Sequence, residues 1–195
     1  MLASNNPQKL QELHALLASL DYQILSQNTF HVPSIEETGH TFVENALLKA
    51  RHAARMTGLP ALADDSGLVV PALGGAPGIY SARFAGTSSE NIAKLLSALH
   101  GFPTEARRAY FYCVVVYLLS EADPTPFIAE GRWSGEILET PRGTGGFGYD
   151  ACFYVRELQS TAAELPPALK NKVSHRGQAI ALLIKNFKEI QLRSE

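Results

Sequence analysis

A chain of 195 residues can bury a substantial core, and with 46% apolar and 18% charged residues it has the composition of an ordinary globular protein. The formal net charge of −2 excludes a broadly basic nucleic-acid binder, though not a local basic pocket. Cys113 and Cys152 lack metal-type spacing and sit in strand-like apolar surroundings, so they read as buried free thiols of a reducing compartment. No signal peptide is visible, and the apolar run Cys113 to Leu119 is too short to span a bilayer. The expectation is one cytoplasmic domain over residues 1–195, with two lobes and no membrane or nucleic-acid partner.

Leu2-Ala3 reads as the end of a very short strand, followed by Ser4-Asn5-Asn6-Pro7-Gln8-Lys9 and then Leu10, Leu13, Leu17 and Leu20 at helical spacing. Asn6 suits an N-cap and Pro7 the first helical position. Lys9 falls in the first turn, where the helix dipole disfavours a cation. That position suits an anion-binding loop, and equally a solvated lysine on a capped helix. The pattern Gly-x-x-x-x-Gly-Lys is absent, so this is no P-loop. Tyr22 to Ser26 reads as a short strand, and a polar loop carrying Glu36 and Glu37 leads to Gly39.

Thr41-Phe42-Val43-Glu44 matches a capping box, which makes Glu44 structural. The helix it opens carries Ala46, Ala50, Ala53 and Ala54 on a small-residue face and ends at Gly58. Lys49 lies two turns in and makes no claim by itself. Ala63-Asp64-Asp65-Ser66-Gly67 then interrupts an apolar strand that resumes at Leu68-Val69-Val70. Ionised carboxylates in a core need pairing or coordination, and Mg²⁺ commonly binds through one or two carboxylates plus substrate phosphates. The competing reading is a strand end whose acids face water.

Ser88-Ser89-Glu90 opens a further helix with Ile92, Leu95, Leu96 and Leu99 on one face. Ala109 to Leu119 reads as a strand buried on both faces, and Pro126 to Trp133 and Gly135 to Leu138 as two antiparallel strands joined by a turn. Gly143-Thr144-Gly145-Gly146-Phe147-Gly148 fits Gly-x-Gly-x-x-Gly literally, but the following Tyr149 to Val155 has a strand pattern where the dinucleotide fingerprint needs a helix. Phe147 suits either a stacking surface for a flat ring or a core position. Ser174 is a natural N-cap for a C-terminal helix, with His175 and Arg176 in its first turn. Arg176, like Lys9, opposes the dipole. Two such helix starts suggest one shared anionic ligand, unless either cation is simply solvated.

In this order, Ser4-x-Asn6-x-x-Lys9, Glu36-Glu37-Thr38-Gly39, Thr41-Phe42-Val43-Glu44-Asn45-Ala46 with Lys49, Ala63-Asp64-Asp65-Ser66-Gly67, Leu73 to Arg83, Gly146-Phe147-Gly148-Tyr149-Asp150 and Ser174-His175-Arg176-Gly177 resemble the inosine triphosphate pyrophosphatase (Ham1-like) family over essentially the whole chain. The first strand is shorter here, and Ser4-Asn5-Asn6 stands where the family has Thr-Gly-Asn. The resemblance implies an α/β fold, a long twisted mixed sheet with flanking helices in two lobes around a nucleotide cleft. It also implies a homodimer and Mg²⁺ dependence. On matching positions it assigns the loop Ser4, Asn5, Asn6, Pro7, Gln8 and Lys9, with Lys49, to the triphosphate, and Ser66 to the substrate. Asp65 becomes metal ligand and general base, with Lys9 and Lys49 as its catalytic partners. Glu36 completes the metal site, with Glu37 and Asp64 as alternatives. Phe147, Gly148, Tyr149, Asp150, Lys170, His175 and Arg176 form the base pocket.

The implied activity is hydrolysis of ITP, dITP and XTP to the monophosphate and pyrophosphate, which keeps these bases out of DNA and RNA. The residue chemistry agrees with it. A nucleoside triphosphate brings about four negative charges, which two lysines and a divalent cation can offset locally. Donors such as His175 and Arg176 fit the position-six carbonyl of hypoxanthine and oppose the amino group of adenine. Rival readings are a pyrophosphatase of modified pyrimidine or methylated nucleotides and a non-catalytic nucleotide- or RNA-binding module. A serine hydrolase using Ser66 lacks the Gly-x-Ser-x-Gly motif.

Overall fold

The structure, a computed structural model, describes residues 1–20 and 22–191, with side chains through residue 187. Local capping signals set the first two helices. Helix α1 spans Pro7–Leu17, and the Asn6 side chain accepts the N–H groups of Gln8 and Lys9 at 3.0 and 3.1 Å, satisfying two of the donors a helix start leaves open. Helix α2 spans Phe42–Thr57 and ends on Gly58, whose φ of +68° is a conformation glycine adopts without a Cβ penalty. Its alanine face, Ala46, Ala50, Ala53 and Ala54, is buried. The capping box is modified here. Thr41 Oγ1 accepts the Glu44 N–H, but Glu44 Oε2 reaches back to the N–H of His40 and to the Thr41 hydroxyl, both at 2.8 Å.

Five strands form one sheet in the order β1-β2-β3-β4-β5: β1 (Ala61–Val69), β2 (Arg108–Leu118), β3 (Phe127–Ile137), β4 (Phe153–Val155) and β5 (Ser160–Thr161). The pairs β3–β4 and β4–β5 are antiparallel. Leu2 makes isolated parallel bridges to both Ser26 and Leu62. The strand expected over Tyr22 to Ser26 is reduced to the Ser26 bridge.

The two strands expected at Pro126 to Trp133 and Gly135 to Leu138 are one continuous β3. Gly135 makes no turn. A Cβ there would lie 2.6 Å from the Tyr154 carbonyl oxygen and 2.7 Å from the Phe153 ring, so glycine permits the close approach of β4. The strand expected from Tyr149 begins only at Phe153, because 149–152 form a turn closed by Cys152 and Phe153 N–H groups on the Tyr149 carbonyl. Helix α3 spans Ser88–Ala98, and its N-cap is Thr87, one residue before the expected start, with a full capping box to Glu90. Helix α4 (Pro167–Val173) has no counterpart in the sequence reading, and α5 (His175–Gln191) follows it directly after Ser174.

The chain gathers into two compact units. One comprises Met1–Asp65, Cys113–Gly131 and Arg176–Glu195, the other Ser66–Tyr112 and Arg132–His175. The first has its own core of Leu2, Leu13, Leu17, Leu62, Cys113, Val115, Ile180 and Leu183. The second is built on Leu68, Leu95, Leu99, Phe111, Trp133, Ile137 and Phe153. Arg107 is buried in the second unit and donates to the carbonyls of Leu99, Ile137 and Leu138, tying the end of α3 to the end of β3. Both cysteines are buried free thiols, as expected. Among the described residues no helix is long and apolar enough to cross a membrane.

Candidate active site

In the first unit the two buried acids in the middle of β1 meet cations from both helix starts that oppose their dipoles. Lys9 Nζ lies 3.0 Å from Asp64 Oδ2, and Arg176 Nη2 lies 3.2 Å from the same oxygen. The anion the two helix starts share here is the protein's own Asp64. Arg176 Nη1 also pairs with Glu12, a residue the sequence reading did not select. The signal for Glu12 is its place one turn after Lys9 on α1, which puts both side chains on one helix face. Burial alone would raise Asp64, but Lys9 and Arg176 outweigh it and hold the carboxyl far below the usual carboxylate range. Burial opposes the charge on Arg176 too, and Asp64 and Glu12 outweigh it, so the guanidinium stays charged.

The neighbouring Asp65 has a different environment. Its Oδ1 accepts from Lys49 Nζ at 2.8 Å, and the same ammonium donates to Glu37 Oε1 at 2.7 Å. Among the described residues Asp65 Oδ2 has no hydrogen-bond partner, and it is buried in a residue only 5% exposed. Burial pushes the Asp65 carboxyl above its ordinary value, against the pull of Lys49 and Lys9, and the Glu37 charge adds to the rise. Burial works against the Lys49 ammonium, yet the charges of Asp65, Asp64 and Glu37 outweigh it and raise its pKa. One carboxylate is therefore locked as an anion by two cations, while its neighbour is the more basic of the two. Such a separation is how adjacent acids take different roles.

A buried carboxylate oxygen without a partner, beside a second carboxylate, is a donor set suited to a hard divalent cation that completes its shell with water and phosphate oxygens. Asp65 and Glu37 could hold Mg²⁺ in that way. The structure brings Glu37 to Lys49 beside Asp65, while Glu36 is exposed. In the loop before α1, Ser4 Oγ accepts the Asn6 N–H at 3.3 Å and Asn5 donates to Ser34 at 2.7 Å. Pro7 and Gln8 are exposed on the first turn. Ser66 is half-buried on β1, directly after Asp65.

In the second unit, Lys170 from α4 pairs with Asp150 at 2.6 Å and stands 4.7 Å from the Phe147 ring centre, a cation–π arrangement. Asp150 Oδ2 also accepts the Phe147 N–H at 2.8 Å. A Cβ at Gly146, whose φ is +69°, would lie 2.1 Å from that oxygen, so glycine lets the loop close on Asp150. Phe147 and Gly148 are half-buried and accessible at the loop. Tyr149 instead points into the core, where its hydroxyl donates to the Ser81 carbonyl at 2.9 Å. His175 is buried and stacks on Phe111 with ring centres 4.8 Å apart and planes 11° from parallel. Nothing in the sequence pattern separated Phe111 from its apolar neighbours.

The chain is similar to known proteins over nearly its whole length. A protein named dITP/XTP pyrophosphatase from Erwinia tasmaniensis is 55% identical over 191 residues, covering 96% of this chain and 93% of its own. One of the same name from Xanthomonas campestris is 57% identical over 186 residues, 94% of each chain. The solved structure of a HAM1 protein from Coxiella burnetii superposes with a TM-score of 0.90 at 53% identity, covering 96% of this chain and 97% of that one. The Staphylococcus aureus Ham1 protein gives 0.85 at 40% identity, with the same coverage of both chains. Residues 1–186 match the Ham1 family, and the chain belongs to it.

Proposed function

We propose that this chain hydrolyses the triphosphates of deaminated purines, ITP, dITP and XTP, to the nucleoside monophosphate and pyrophosphate. The observation that carries the reading is the buried Asp65, raised in basicity, with one oxygen on Lys49 and the other without a hydrogen-bond partner among the described residues. Relatives more than half identical over nearly the full chain are named dITP/XTP pyrophosphatases, which supports the substrate class.

In this mechanism Asp65 takes a proton from water as its oxygen attacks the α-phosphorus. The bond from that phosphorus to the bridging oxygen breaks, pyrophosphate leaves, and the new oxygen stays on the monophosphate. Lys9 and Lys49 offset charge on the phosphate oxygens, and Ser4, Asn6 and the N–H groups of the loop through Gln8 orient them. Mg²⁺ held by Asp65 and Glu37 would neutralise phosphate charge and make coordinated water easier to deprotonate. His175 and Arg176 donate to the position-six carbonyl, and Phe147 offers a face to the base. Adenine brings an amino group to those donors and is rejected. The homodimer and the cytoplasmic location belong to the same reading, on the strength of the family resemblance, and light scattering after gel filtration tests the dimer.

A hydrolysis panel of ITP, dITP, XTP, GTP, ATP and dUTP with Mg²⁺, scoring pyrophosphate and orthophosphate separately, tests the proposal. Pyrophosphate mainly from the first three supports it. Orthophosphate as the product, or a preference for dUTP, overturns the proposed attack or the purine pocket.

A further inference from the structure

Lys49 Nζ donates to Glu37 Oε1 at 2.7 Å and to Asp65 Oδ1 at 2.8 Å, so one ammonium spans the two carboxylates best suited to a divalent cation. The bridge is sheltered, with the Lys49 and Asp65 side chains only 16% and 7% exposed. A divalent cation bridging the same two groups would stand in contact with the ammonium, and like charges at that distance in a partly desolvated site repel strongly. The buried, unpartnered Asp65 Oδ2 shows that the ammonium leaves the cluster's demand for positive charge incompletely met.

We infer that Lys49 is a resident stand-in for the divalent cation: ammonium and metal exclude one another between Glu37 and Asp65, and the metal enters together with the nucleotide. The inference rests on the metal-dependent reading proposed above. A triphosphate supplies both requirements of the exchange. Its oxygens offer Lys49 a new partner, and they complete a shell for which the protein provides two carboxylates. Without nucleotide neither is available, and the free protein binds the metal weakly.

The test is Mn²⁺ binding to the full chain without nucleotide, read as the loss of the free-ion electron paramagnetic resonance signal. A neighbouring cation changes a carboxylate's affinity for a proton by roughly 10- to 1,000-fold, so Lys49→Met is expected to bind Mn²⁺ at least about tenfold more tightly than the parent. Adding Asp65→Asn to Lys49→Met should abolish that gain. Lys49→Gln, which keeps an amide donor for both carboxylates, gives the same readout if the methionine variant does not fold. Equal Mn²⁺ affinity in parent and variants overturns the inference, as does tight binding by the parent alone. A second series with α,β-methylene ITP present separates the two claims. If no protein takes up Mn²⁺ even then, the metal-dependent reading itself falls.

Discussion

Replacing Asp64 by alanine removes the one carboxylate on which Lys9 and Arg176 converge, and the structure sets the size of the loss. The Lys9 side chain is 17% exposed and can turn to water, whereas Arg176 is 3% exposed and keeps Glu12 as a carboxylate partner. Breaking a buried pair by removing one member costs about 3–5 kcal/mol, and the remaining Glu12 contact argues for the lower end. For a chain of this size about 3 kcal/mol corresponds to a melting temperature lower by roughly 6–12 °C. Calorimetry or circular dichroism at pH 7 measures it. In the double variant Asp64→Ala/Arg176→Met the orphaned charge is gone, so the two losses should not add. Asp64 titrates below its unfolded value, so its contribution is complete above about pH 4 and is lost as the pH falls through the folded pKa. Asp64→Asn should therefore show a shallower loss of stability in acid than the parent. An Asp64→Ala protein melting within about 2 °C of the parent would refute the reasoning.

Asp65→Asn removes the proposed base while keeping its shape, and turnover should fall by roughly 10²- to 10⁴-fold with nucleotide binding retained; single-turnover kinetics beside calorimetric titration reads both. Gly135→Ala places a Cβ against the Tyr154 carbonyl and the Phe153 ring, and prying β4 from β3 should cost about 1–3 kcal/mol in a denaturant melt. Burial pushes both Cys113 and Cys152 up to about 12, so neither should react with a thiol reagent at pH 8 until the chain is unfolded in guanidinium.

What could be read from the sequence was what depends on a few adjacent residues. Asn6-Pro7, Thr41 with Gly58 and the alanine face of α2 each carry a local reason for their conformation, and the structure has all three. Ser134-Gly135 was misread as a turn because glycine signals both a turn and a close approach, and only the packing of β4 distinguishes them. Thr87 and Ser88 are both good caps, and the reach of Glu90 decides between them.

At the site, the dipole-opposing positions of Lys9 and Arg176 suggest a shared anionic ligand, whereas in the structure both cations pair with the chain's own Asp64. Lys49 gave no signal of its own, because a lysine on a helix reads the same whether it faces water or a buried aspartate. Glu36 and Glu37 are equivalent as neighbours in a loop. Only the path of that loop brings Glu37 to Lys49.

Attack at the α-phosphorus is the central claim, and hydrolysis of ITP in ¹⁸O-labelled water tests it most directly. Mass spectrometry should find the label in the phosphate of inosine monophosphate and none in pyrophosphate. Label in the pyrophosphate instead would mean that water attacks the β-phosphorus, and would contradict the claim.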